Sequence, residues 1–170
     1  MRIPRTFFAI LGMVAALAGS SFAATQAAFV LQGSIGGDAS LTVTPQSGYN
    51  ALDLTVDQSA DLLIAIVNEQ SNYPHGYTVT LASTMAETRG GGTQAMLVGG
   101  LGNSDTLDYF IKYGGVSVIL SEGSALVTED KHKTHKGGVN KNLTITYAAS
   151  GKNLSADTYS DTLTLTVAAK

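Results

Sequence analysis

Along most of this chain, apolar residues recur at every second position. Leu41 and Val43 alternate with Thr42 and Thr44, and Tyr77, Val79 and Leu81 alternate with Thr78 and Thr80. Leu143, Ile145 and Tyr147 alternate with Thr144 and Thr146, and Leu163, Leu165 and Val167 with Thr162, Thr164 and Thr166. Successive side chains of a strand point to opposite faces, so this pattern gives each segment one apolar and one wet face. Threonine suits the wet face because its branched side chain fits the pleat while its hydroxyl stays solvated. Beyond the N-terminal leader, no window of ten or more residues carries a helical stripe. Apolar faces of that kind are buried by stacking sheets, and short strands with turn signals between them predict an all-β sandwich.

The alternation marks further strands. Phe29, Leu31, Gly33 and Ile35 alternate with Val30, Gln32 and Ser34, and Leu52, Leu54 and Val56 with Asp53 and Thr55. Residues 62–67 (LLIAIV) are continuously apolar and read as a buried strand. Residues 68–72 (NEQSN) read as a loop, and the Gly-rich 84–106 as a long connection. Strands are expected over 107–113, 116–120 and 124–128, with Gly114-Gly115 as a two-residue hairpin turn. The segment 129–138 (EDKHKTHKGG) is a charged loop, and the last strand is expected over 159–167. No internal repeat or domain linker stands out.

The first residues read as an export signal. Arg2 and Arg5 precede an apolar stretch, 7–18, and Ser21 and Ala23 suit the −3 and −1 positions of a signal peptidase site. Cleavage is expected after Ala23, with the bond after Ala27 as second choice. The stretch is shorter than the roughly 20 residues of a membrane span. The expected division is a helical signal peptide, 1–23, and one domain, 24–170. Removing Arg2 and Arg5 takes the formal net charge from −3 to −5. No basic stripe offers itself to nucleic acid or anionic lipid. The chain contains no cysteine, so packing and β hydrogen bonds alone must hold it.

Residue groups that can carry chemistry are few. His132 and His135 lie near Glu129 and Asp130, but Lys131, Lys133 and Lys136 oppose a cation there, and a solvated loop is the better reading. No serine sits in a Gly-x-Ser-x-Gly elbow, and His75 follows Pro74 in a turn. The close acid pairs, Asp53 with Asp57 and Asp105 with Asp108, lie on or beside strands with their polar faces outward. Gly90-Gly91-Gly92 lacks the Lys-Ser/Thr of a phosphate loop. No enzyme activity, metal or cofactor is expected. Tyr49, Tyr73, Tyr109 and Tyr113 form either a sugar-stacking surface or parts of the core and rim.

Two segments carry a resemblance. Residues 153–167 (NLSADTYSDTLTLTV) resemble the last strand of chaperone–usher fimbrial subunits and of spore-coat-U-like secreted proteins, with Tyr159 and Asp161 at the matching places. Asp157 stands where that pattern expects glycine. Gly76-Tyr77-Thr78-Val79-Thr80-Leu81 is similar to a middle strand of the same proteins. The resemblance implies an immunoglobulin-like sandwich of about seven to ten antiparallel strands, lacking one strand and so exposing a groove. It implies that a periplasmic chaperone fills the groove first, and that the N-terminal extension of another subunit replaces it by adding a strand.

Residues 24–35 meet the chemical demand for such a donor, being uncharged, with Phe29, Leu31 and Ile35 to one side and Gly33 among them. They equally suit the first strand of a complete sandwich. The resemblance makes Tyr159, Asp161, Leu163, Leu165 and Val167 the last strand bordering the groove. The expected protein is a structural subunit of a fimbria or surface coat. It passes through the periplasm to the cell surface or exterior, with other copies or related subunits, a chaperone and an outer-membrane usher as partners. The alternative is a self-complete secreted adhesion module binding carbohydrate or a surface protein.

Overall fold

The computed structural model describes residues 31–89 and 92–170. The signal region and Phe29 lie outside these residues. The described chain is an all-β, immunoglobulin-like sandwich with nine antiparallel strands and one short helix. One sheet runs β1 (Ala39–Pro45), β2 (Gln58–Ser71), β8 (Val139–Tyr147), β5 (Thr106–Tyr113) and β4 (Ala95–Val98), with β6 (Val116–Val118) also on β5. The other runs β7 (Ser124–Asp130), β3 (Tyr77–Ser83) and β9 (Leu163–Ala169). Helix α1 (Thr84–Thr88) follows β3. The body comprises Ile35–Lys170.

The period-two rows become the core. Val79 and Leu81 of β3, Val67 of β2 and Leu107 of β5 are almost wholly buried, with Ile111, Leu143 and Ile145 beside them. Each such side chain contributes about 1.5–3 kcal/mol by leaving water, and no disulfide is needed. Both residues of the Gly114-Gly115 turn have positive φ, 57° and 84°. A primed hairpin turn requires this and glycine adopts it without strain.

Five expectations are corrected. The strand expected over 29–35 is not present in the described residues: 31–38 belongs to no strand. Leu31 and Ile35 are 88 % and 93 % exposed. A strand is held by a neighbour's ladder, and residues 31–35 have none among the described strands. Residues 24–30 of the segment read as donor arm or first strand lie outside the described residues. Residues 52–56 form turns instead of a strand. The Asp53 carboxylate accepts from the Thr55 amide at 3.0 Å and its hydroxyl at 2.6 Å, a local turn that outcompetes pairing.

The expected loop 68–72 is mostly strand, since β2 runs on to Ser71. Its polar side chains find partners inside the protein. Asn68 Nδ2 donates to Gly137 O at 3.0 Å and Asn140 Oδ1 at 2.7 Å, and Gln70 Nε2 donates to Lys136 O at 3.0 Å. The connection 84–106 is not structureless: Ser83 Oγ caps α1 by accepting from the Ala86 amide at 3.1 Å, and β4 pairs with β5. The last strand also begins later than expected, at Leu163, leaving Tyr159 and Asp161 in the segment before it.

Candidate functional site: an open seam between two sheet edges

Strand β1 ends one sheet and β9 ends the other, and the two edge strands touch. On β9, Leu163, Leu165 and Val167 pair with Ser83, Leu81 and Val79, which are fully buried. Directly paired residues share a face, so these three side chains point toward the core. They nevertheless remain only half-buried. On β1, Val43 pairs with fully buried Val67 yet is 46 % exposed. Leu41 and Leu163 likewise pack on the core without being covered. The core-facing row is therefore open along this seam. Each bordering strand is seven residues long. Among the described strands β1 pairs with β2 alone and β9 with β3 alone, so each offers a free row of backbone donors and acceptors.

The seam widens beyond Pro45 and ahead of Leu163. A cavity of about 690 Å³ lies there between residues 49–55 and 154–161. Leu52, Leu54, Leu97 and Leu154 give it apolar walls, with Asp53 and Asp157 at its polar margin.

Tyr159 and Asp161 fix the approach to β9. The Ser83 and Tyr109 hydroxyls donate to Asp161 Oδ2 at 2.7 and 2.6 Å, and the Met85 amide to Oδ1 at 3.0 Å. One carboxylate thus ties the segment before β9 to β3, to α1 and to β5 of the facing sheet. Burial, then the bond to Asp161, pushes the Tyr109 hydroxyl far above its ordinary value. Tyr159 donates to Ser155 O at 2.9 Å and accepts from Asn103 Nδ2 at 3.2 Å, closing its own loop.

A second carboxylate lies inside the sandwich. Glu69 is fully buried. Tyr113 and Thr128 donate to its Oε1 at 2.7 Å each, and Tyr77 to its Oε2 at 2.9 Å. Strands β2 and β5 of one sheet are thereby joined to β3 and β7 of the other. Polarity made Glu69 read as loop. The signal that could have placed it was the continued alternation Ala65, Val67, Glu69, Ser71, all four buried.

The remaining candidate groups separate. The His132 amide donates to Asp130 Oδ1 at 2.9 Å, and His135 Nδ1 accepts from the Gly137 amide at 3.2 Å, both in the exposed loop after β7. Among the described residues no three His, Cys, Asp or Glu side chains gather as a metal site would require. Hydrogen bonds from Thr55, Ser150 and Ser155 hold the carboxyls of Asp53, Asp57 and Asp105 below the usual range. Tyr109 and Tyr113 are core residues and Tyr49 is half exposed, so the tyrosines form no common stacking surface. Phe29 lies outside the described residues. A Cβ added to Gly33 would meet nothing, so no contact in the described body demands glycine there.

Fold and seam together define an all-β sandwich with one apolar seam left open between two free edges. Compared with known families and with characterised proteins, the chain matches none.

Proposed function

We propose that this protein is an exported structural subunit of a fimbria or surface coat, assembled by strand addition. Residues 24–35 of one copy enter the seam between β1 and β9 of another. The observation that carries this reading is the incompletely covered, core-facing row of exposed Val43 and half-buried Leu163, Leu165 and Val167 beside two free backbone edges. The arm has the chemistry to fill it. It carries no charge from Ala24 through Gly37, and Leu31 and Ile35 stand exposed. At about 3.3 Å per residue, 27–35 spans a seven-residue edge with residues to spare. Backbone ladders supply affinity in such an addition, and alternate side chains entering the seam supply register. In a cell, a chaperone covers the seam until export through an usher.

The test uses the mature chain carrying Phe29→Asp or Leu31→Asp, scored by electron microscopy and size measurement. A charge on the inward row should abolish polymers while export and the monomer's β spectrum persist. Fibres forming normally in both variants would refute the reading.

A further inference from the structure

A lysine cluster and an aspartate cluster lie at opposite ends of the body, with Asp38, Glu129 and Asp130 also at the lysine end. Strand β2 runs between the two ends, from Gln58 to Ser71, a length of roughly 40 Å. At the Ser71 end lies the loop after β7, anchored where the Thr134 amide donates to Ser71 O at 2.9 Å. Its residues 131–136 (KHKTHK) hold three lysines, two histidines and no acid. Lys131, Lys133 and Lys136 are exposed. The two ion pairs among the described residues, Lys112–Asp61 and Lys170–Glu129, involve none of them.

The chain enters the body at this same end. The Asp38 amide donates to Asn72 Oδ1 at 2.7 Å, and Asn72 Nδ2 donates to Gly36 O at 2.9 Å. Asp38 shares a cavity of about 430 Å³ with Lys133, His135 and Lys136. The root of the arm therefore sits beside the cationic loop.

The other end is acidic and holds the seam's mouth. Asp53, Asp57 and Asp157 are exposed there, and their hydrogen-bond partners are hydroxyls, amides and Asn103. Asp53 and Asp157 line the 690 Å³ cavity itself. Lys152 is the opposing charge on the loop that carries Asp157.

We infer that copies meet end to end, the Lys131, Lys133 and Lys136 loop of one against Asp53, Asp57 and Asp157 beside the seam mouth of the next. This rests on the strand-addition reading and gives it a direction. An arm rooted at the cationic end, entering at the acidic end, places Ile35 near the mouth and Phe29 deeper. Its chain then runs antiparallel to β9, because β9 starts at the mouth and leads away from it. Antiparallel ladders are the more stable kind. The contact is heterologous, so repetition continues into a filament. Opposite charges at the meeting faces raise the encounter rate and disfavour contact between like ends.

The test follows polymerisation of the mature chain by light scattering at low and high salt, where screening lengths are about 30 and 3 Å. Three proteins are compared: wild type, Lys131→Glu/Lys133→Glu/Lys136→Glu, and Leu31→Asp. Wild type should slow about tenfold or more at high salt. The triple variant should be slow at low salt, insensitive to salt, and accelerated by mixing with an Asp53→Lys/Asp57→Lys chain. Equal rates and equal salt dependence for wild type and triple variant would overturn the end-to-end contact. If Leu31→Asp alone blocks polymers in that case, strand addition survives without it. Normal polymers from Leu31→Asp count against strand addition alone, since the triple variant reads the charge contact separately. A wild-type chain monomeric at every salt concentration overturns both.

Discussion

Removing one hydroxyl from the buried Glu69 cluster tests whether that carboxylate holds the two sheets together. Tyr113→Phe is the cleanest perturbation. The ring keeps its shape in a site only 3 % exposed, so no cavity opens. What is lost is one donor, 2.7 Å from a fully buried carboxylate. Hydrogen bonds to charged groups are worth about 1.5–3 kcal/mol, and no water replaces this one. The expected cost is about 2 kcal/mol, or several degrees in melting temperature for a domain of this size. Tyr77→Phe should cost about the same. The double variant should cost more than the sum, because the second loss leaves the carboxylate with Thr128 alone. Urea unfolding is measured in a Leu31→Asp background, so that polymerisation does not enter. A Tyr113→Phe midpoint equivalent to less than about 0.5 kcal/mol of change would refute the argument.

Two further predictions follow the same logic. Burial first, and then the bonds to Glu69 or Asp161, raise the Tyr77, Tyr113 and Tyr109 hydroxyls above their ordinary value of 10.0. Folded values above unfolded ones stabilise fully below pH 10 and progressively less as pH rises beyond it. Stability should therefore fall above pH 10, with tyrosinate absorbance from these residues appearing together with loss of the β spectrum. Their ionisation within an intact fold would contradict the burial argument. In the same monomeric background, Leu81→Ala should cost about 3–4 kcal/mol, and its β9 partner Leu165→Ala only about 1–2, because one side of Leu165 is uncovered. Equal costs in urea unfolding would mean that the seam is closed.

The fold was legible wherever alternation and burial coincide. Tyr77-Val79-Leu81 and Leu143-Ile145-Tyr147 announce strands whose apolar faces the sandwich covers. Legibility failed where a local or tertiary bond overrode the pattern. Leu52 and Leu54 alternate like strand residues but pack on the core from turns, which Asp53 and Thr55 close. Asn68 to Ser71 are polar like a loop but pair as strand, since Glu69, Asn68 and Gln70 find partners across the sandwich and in the next loop. Of the site, alternation marked β9 as a strand, whereas an open side beside it was expected only from the resemblance. Alternation reports which face is apolar, and only the packing of the second sheet decides whether that face is covered.

The treatment of the sheet edges distinguishes the seam from the rest of the surface. An unpaired edge invites indiscriminate pairing, and proteins blunt it with charge, shortness or proline. Strand β7 ends in Glu129 and Asp130, and β4 and β6 are four and three residues long. Strand β9 has no such protection: Leu163–Ala169 carries no charge and no proline across seven residues. Strand β1 has only Pro45, at its far end, and is otherwise uncharged. The two least defended edges are the two that border the open apolar row. The uncharged arm, 24–35, has matching chemistry, and Leu31 and Ile35 on it stand exposed. Left apart, seam and arm are both aggregation hazards; joined between copies, each removes the other's exposed surface. A self-complete module would need only to protect the β1 and β9 edges as β4, β6 and β7 are protected, and lysine substitution at Thr164 and Thr166 should then change nothing. On the strand-addition reading, the same two charges blunt the β9 edge as Glu129 and Asp130 blunt that of β7, so polymers should be reduced there and lost with Leu165→Lys, whose charge enters the seam.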